Sequence, residues 1–152
     1  MSAVTIIRRV SNLSKMVGES GGKTVLAALR AAEVETAGLR EEGRALLMEA
    51  IGLLEAALAE PTDDAWLEAI YSTSSVIIDV CPPDLTALGK AAWSLCDLTD
   101  RQRKNDRLEV PPIAVHVAAI RTLSQDNLAP EAAAPLLAGL EALLAREVAK
   151  GG

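Results

Sequence analysis

Seven residues near the start, Gly18-Glu19-Ser20-Gly21-Gly22-Lys23-Thr24, come close to a phosphate-binding loop of the form Gly-x4-Gly-Lys-Thr. In such a loop backbone N–H groups cradle phosphates and the lysine reaches them. The spacing is one residue short, and an amphipathic basic segment precedes it where a buried strand is required. No later apolar strand ends in a metal-binding aspartate. The segment therefore reads as a glycine-rich joint, with Thr24 near a helix start. His116 is the only histidine. No His-x3-His or Cys-x2-Cys spacing accompanies it, so neither a metal site nor a histidine acid–base pair is indicated. It lies one helical turn after Ile113 and one before Ile120, at the edge of an apolar stripe. The ordinary reading is a partly buried ring bonded to a carbonyl or carboxylate; an exposed ring there would be open to phosphorylation. No Gly-x-Ser-x-Gly elbow is present for a serine nucleophile. Glu41-Glu42 and Asp63-Asp64 are adjacent pairs, and adjacent helix residues diverge by about 100° rather than converging on one reacting atom. These residues point to a protein that is not an enzyme and has no cofactor or metal.

Composition narrows the class further. The chain has 152 residues, expected to form one domain over 1–152. Half of them are hydrophobic, phenylalanine is absent, and alanine and leucine supply most of the apolar mass, as suits helices. A net charge of -6 gives no electrostatic reason to bind nucleic acid or anionic lipid. Arg101, Arg103, Lys104 and Arg107 form the only basic cluster. Asp100, Asp106 and Glu109 interrupt it, so it is expected to be a solvated loop. No apolar run approaches the roughly 20 residues that span a bilayer. Ile6-Ile7 is too short for a secretory core, which places the chain in a reducing cytoplasm with Cys81 and Cys96 as free, small, buried side chains.

The elements that hold these residues are helical throughout. Val4, Ile7, Val10, Leu13 and Val17 recur at spacings of three and four, predicting a short amphipathic helix over 1–17 that Gly18 to Gly22 ends. A long pattern covers 24–59 through Val25, Leu29, Ala32, Thr36, Leu39, Gly43, Leu46, Ala50 and Ala57, either as one helix or kinked near Gly38 to Gly43. Thr62 and Asp63 are candidate caps for a helix carrying Trp66, Leu67, Ile70, Tyr71, Ile77 and Ile78. Ser72 to Ser75 weaken that helix, but a strand over 75–80 would have no partner. Pro82-Pro83 forces a turn, after which Asp84 is expected to cap a helix with Leu85, Leu88, Ala92, Leu95 and Cys96 on one side. Pro111-Pro112 opens a helix with Ile113, Val117, Ile120 and Leu123 inward. Pro130 opens the last, with Leu136, Leu137, Leu140, Leu143, Leu144 and Val148. The expected fold is all-α, an up-and-down four-helix bundle core with additional short helices.

Residues 68–96 contain Glu-Ala-Ile-Tyr-Ser-Thr-Ser-Ser-Val-Ile-Ile-Asp-Val, then Cys-Pro-Pro-Asp, then Leu-Thr-Ala-Leu-Gly-Lys-Ala-Ala-Trp-Ser-Leu-Cys. This stretch, about a fifth of the chain, resembles the central hairpin of histidine phosphotransfer domains. There a helix carrying Ala-His-x-Leu-Lys-Gly-Ser/Ala ends in a break and a second, Ala-rich helix follows. Tyr71 stands where that family's phospho-accepting His would be, and Ser74 and Ser75 where its Lys and Gly would be. A neutral tyrosine is no reversible phosphoryl carrier, and without the lysine no cation stabilises the phosphoryl group. The resemblance thus implies a silent member that binds a response-regulator receiver domain through the face near Tyr71, Ser74, Ser75 and Trp93. Two other readings stand beside this signalling adaptor. One is an active phosphorelay protein phosphorylated on His116, which requires that ring to be exposed. The other is a structural module that forms a homodimer through residues 24–59.

Overall fold

The computed structural model describes residues 24–61, 64–125 and 130–150. The helix predicted over 1–17, the glycine-rich segment with Lys23, and the caps predicted at Thr62 and Asp63 lie outside them. The described residues form five helices and no strand: α1 (Val25–Ala57), α2 (Asp64–Val80), α3 (Thr86–Lys104), α4 (Val110–Leu123) and α5 (Pro130–Lys150). The all-α expectation is met, and none of these helices is long and apolar enough to cross a membrane. The chain divides into two units after Gly38.

In the first unit, Thr24 begins α1 as an N-cap, its hydroxyl oxygen accepting the Ala27 N–H at 3.2 Å. Residues 24–38 are exposed throughout. The helix is continuous over Val25–Ala57, with Gly38 and Gly43 inside it.

The second unit holds the core. α1 contributes Leu47, Ile51 and Leu54, α2 Trp66, Leu67, Ile70 and Ile77, and α4 Ile113, Val117, Ile120 and Leu123. α3 packs against α2, α4 and α5. It therefore buries a wide arc that includes Leu88, Ala91, Ala92, Leu95 and Leu98. The alanines at these contacts let neighbouring helix axes approach closely. α5 sends Leu140 into the hydrophobic core and also buries Glu147, while Leu136, Leu137 and Leu144 pack on the core edge and Val148 is exposed.

Hydroxyls on α2 and α3 are satisfied locally, the buried ones of Ser74 and Thr99 among them. Thr73, Ser74 and Ser75 return their hydroxyls to the carbonyls four residues back, which keeps the serine-rich stretch of α2 helical. Thr99 does the same within α3. Asp84 does not cap α3: the cap is Leu85, with no side-chain bond, because the Leu85 N–H closes a turn onto the Pro82 carbonyl. The basic cluster also departs from expectation. Arg101, Arg103 and Lys104 lie in the last turn of α3, where cations favour the helix dipole.

α3 stops in a Schellman arrangement. The Arg107 N–H bonds the Gln102 carbonyl and the Asp106 N–H bonds the Arg103 carbonyl. Asp106 takes the left-handed position at φ 50°, which glycine usually fills. The buried Gln102 side chain then fixes the next turn, donating to the Glu109 carbonyl at 3.0 Å and accepting its N–H at 2.9 Å. Replacing Gln102 with leucine leaves both Glu109 backbone groups without that partner. A loss of about 1–3 kcal/mol in unfolding free energy is expected from urea denaturation, and a change below a few tenths would show that the clip is idle.

Candidate functional site

The sequence-predicted residues lie mainly on α2 and α3. Pro82-Pro83 turns the chain, and the helices return antiparallel: Ser75 meets Cys96, and Glu68, seven residues earlier, pairs with Arg103, seven residues later. Along one face of α3, Trp93, Asp97 and Asp100 follow at intervals of four and three. Along α2, Tyr71 and Ser75 are one turn apart. These two rows bound an open groove of about 370 Å³, whose other lining residues are Ile78, Asp79 and Cys96.

The floor is small and polar. The Ser75 hydroxyl donates to the Tyr71 carbonyl at 3.1 Å, and the Cys96 thiol lies 3.8 Å from the Ser75 oxygen and 3.7 Å from the same carbonyl. Burial raises the Cys96 thiol above its ordinary pKa, against the Ser75 contact that lowers it. Cys81 is likewise raised, chiefly by burial. Both cysteines are free, as expected, but only Cys96 is buried and Cys81 is half-buried, and as protonated thiols they are poor nucleophiles.

The walls are aromatic and the rim acidic. Trp93 is 65% exposed and Tyr71 36%. Trp93 thus departs from the core role that bundle tryptophans commonly fill, whereas Trp66 keeps it, its indole N–H donating to the Ala57 carbonyl at 2.7 Å. Asp97 holds Arg101 through two bonds of 2.9 and 3.1 Å. Asp100 accepts from Lys104 at 2.5 Å and from Arg103, and the Lys104 hydrogen bond leads the effects that hold its carboxyl below the ordinary value.

Ser74 is not part of this surface. It is completely buried, with its hydroxyl bonded to the Ile70 carbonyl at 2.7 Å. The groove brings together Tyr71, Ser75 and Trp93, and adds Asp79, Asp97 and Asp100, which the sequence reading did not single out. For Asp97 and Asp100 the signal was the interval from Trp93, and for Asp79 its place one turn after Ser75 on α2.

His116 is also completely buried. Its Nδ1 lies 2.8 Å from the Pro112 carbonyl, which can only accept, so the proton sits on Nδ1. Nε2, 2.9 Å from the Ser94 oxygen, then accepts the serine hydroxyl. Both nitrogens are occupied and the folded chain does not offer the ring to a phosphoryl donor. The carbonyl partner matches the ordinary reading of this histidine, although the burial is deeper than a stripe edge suggested. Among the described residues no cluster of histidine, cysteine or carboxylates could hold a metal ion.

No family model matches this chain, and neither a curated protein nor a solved structure matches it.

Burial lowers the His116 pKa below 6.5, opposed by the Pro112 bond. The unfolded chain therefore takes up this proton first as pH falls. The contribution is complete above about pH 6.5 and is lost as pH drops towards the folded value. Urea midpoints measured from pH 7.5 to 5.5 should fall for the wild type and stay flatter for His116→Gln. Parallel profiles would show that the ring is not held neutral.

Proposed function

We propose that the protein is a non-catalytic signalling adaptor whose α2–α3 groove docks a protein partner. The observation that supports this most is the pairing of a largely exposed Trp93 with a partly exposed Tyr71 across a groove of about 370 Å³. Exposed aromatics beside a concavity are typical anchors of protein interfaces. On this reading the core is a phosphotransfer-like four-helix bundle. The C-terminal part of α1 with α2, α3 and α4 supplies most of the buried apolar side chains, and α5 flanks them.

The resemblance of residues 68–96 to the phosphotransfer hairpin makes a response-regulator receiver domain the partner to test. Tyr71, in the place of the family's histidine, opens onto the groove. The groove would hold the receiver without accepting phosphate, since Tyr71 is no phosphoryl carrier and His116 is enclosed.

Calorimetric titration against a panel of receiver domains tests the reading. One receiver is expected to bind wild type and His116→Gln alike. Trp93→Ala should weaken that complex by about thirtyfold, as loss of an aromatic anchor does, with an unchanged thermal midpoint. Absence of binding by every receiver would overturn the receiver assignment. Binding indifferent to both Trp93→Ala and Tyr71→Ala would overturn the groove.

A further inference from the structure

The two ends of the α2–α3 groove differ in what their charges already hold. The lining carries three carboxylates and no cation. The pairs Ser75–Cys96 and Glu68–Arg103 set the register, seven residues forward along α2 matching seven back along α3. Four residues before Ser75, Tyr71 therefore stands across from Asp100. Four residues after it, Asp79 stands across from Ala92 and Trp93. Ala92 is buried, so Trp93 is the residue that faces the groove there. Each end thus sets one aromatic ring against one carboxylate, and eight residues of α2, about 12 Å, separate the ends.

Two of the three carboxylates are committed. Asp100 accepts from Lys104 and Arg103, and Asp97 holds Arg101 through two bonds. Asp79 is exposed, and among the described residues none pairs with its carboxylate. The uncommitted carboxylate therefore lies at the end with the more exposed ring, Trp93 at 65% against Tyr71 at 36%.

We propose that this end is a guanidinium site, which takes an arginine side chain of a protein partner between the Trp93 indole and the Asp79 carboxylate. The inference rests on the reading that the groove docks a protein. Charge complementarity selects a cation, since an open carboxylate faces an indole, the aromatic ring that attracts cations most strongly. Guanidinium fits better than ammonium on two counts. It is flat and weakly hydrated, so it stacks on a ring in an open groove while keeping its remaining water. Its fork of N–H donors also matches the two carboxylate oxygens.

NMR titration of the full chain with a capped Gly-Arg-Gly peptide, at about 150 mM salt to screen diffuse attraction, tests the site. Loss of one indole resonance in Trp93→Phe assigns the Trp93 signal. In the wild type that signal should shift saturably, with a Kd of about 10 mM, while the Trp66 indole stays still. Citrulline in place of arginine keeps the shape and removes the charge, and should weaken binding about tenfold; lysine should weaken it about threefold. Asp79→Asn should cost the arginine peptide about threefold, and Tyr71→Ala, at the other end, should leave it unchanged. Equal binding of the citrulline peptide would assign the groove to a neutral segment and overturn the proposal. Equal binding of the lysine peptide, indifference to Asp79→Asn, or no Trp93 shift would overturn it too. The docking reading fails separately. A receiver complex that needs Trp93 but ignores Asp79→Asn keeps the docked partner and removes the arginine. Arginine-peptide binding without any receiver complex keeps the site and removes the receiver.

Discussion

The burial of α3 on three sides is the constraint on which the second unit depends. A helix that touches α2, α4 and α5 at once has little perimeter left for solvent. Its contacts require small side chains at Ala91 and Ala92 and internally satisfied polar ones at Thr99 and Gln102. Gln102 does more than tolerate burial. It fixes the turn that carries α4 into its packing position, and Ile113, Val117 and Ile120 on α4 then close the other side of α3. Core and loop geometry are thus set by the same helix.

The groove follows from what α3 leaves over. With three neighbours placed, one strip of its surface stays open, and Trp93, Asp97 and Asp100 fall on that strip at helical spacing. The antiparallel return of α2 supplies the facing wall. Small side chains at Ser75 and Cys96 keep the floor of the groove low. The acidic rim is partly neutralised by Arg101 and Lys104 from the same helix. An open groove with aromatic walls and muted charge results from the packing of two helices.

Much of this was legible in the sequence, for physical reasons. The inward sides of α2 and α4 could be read from apolar intervals because each packs a single face, so Leu67, Ile70, Ile113, Val117 and Ile120 are buried as their spacing implies. The prolines placed the turns because their rings fix φ and remove a donor. Three features were hidden because they depend on packing between distant segments. Trp93 looks like core by residue type, yet falls on the open strip of α3. Ser74 looks accessible by type, yet its back-bonded hydroxyl makes it an acceptable core residue between Ile70 and Ile77. His116 sits at the edge of its own helix stripe, but Ser94 on α3 encloses it. The end of α3 resembles a loop in sequence because charged residues crowd it, yet they lie in its last turn. Each cation there is paired along the helix or across to α2.

The two tryptophans occupy opposite surroundings, one enclosed with its indole N–H on a backbone carbonyl, the other in open solvent beside the groove. With no third indole in the chain, their emission separates by environment, a blue component from Trp66 and a red one from Trp93. Unfolding shifts the first towards the second, while a change confined to the groove surface reaches the second alone. The molecule therefore carries two intrinsic optical reporters, one for the integrity of its core and one for the state of its surface.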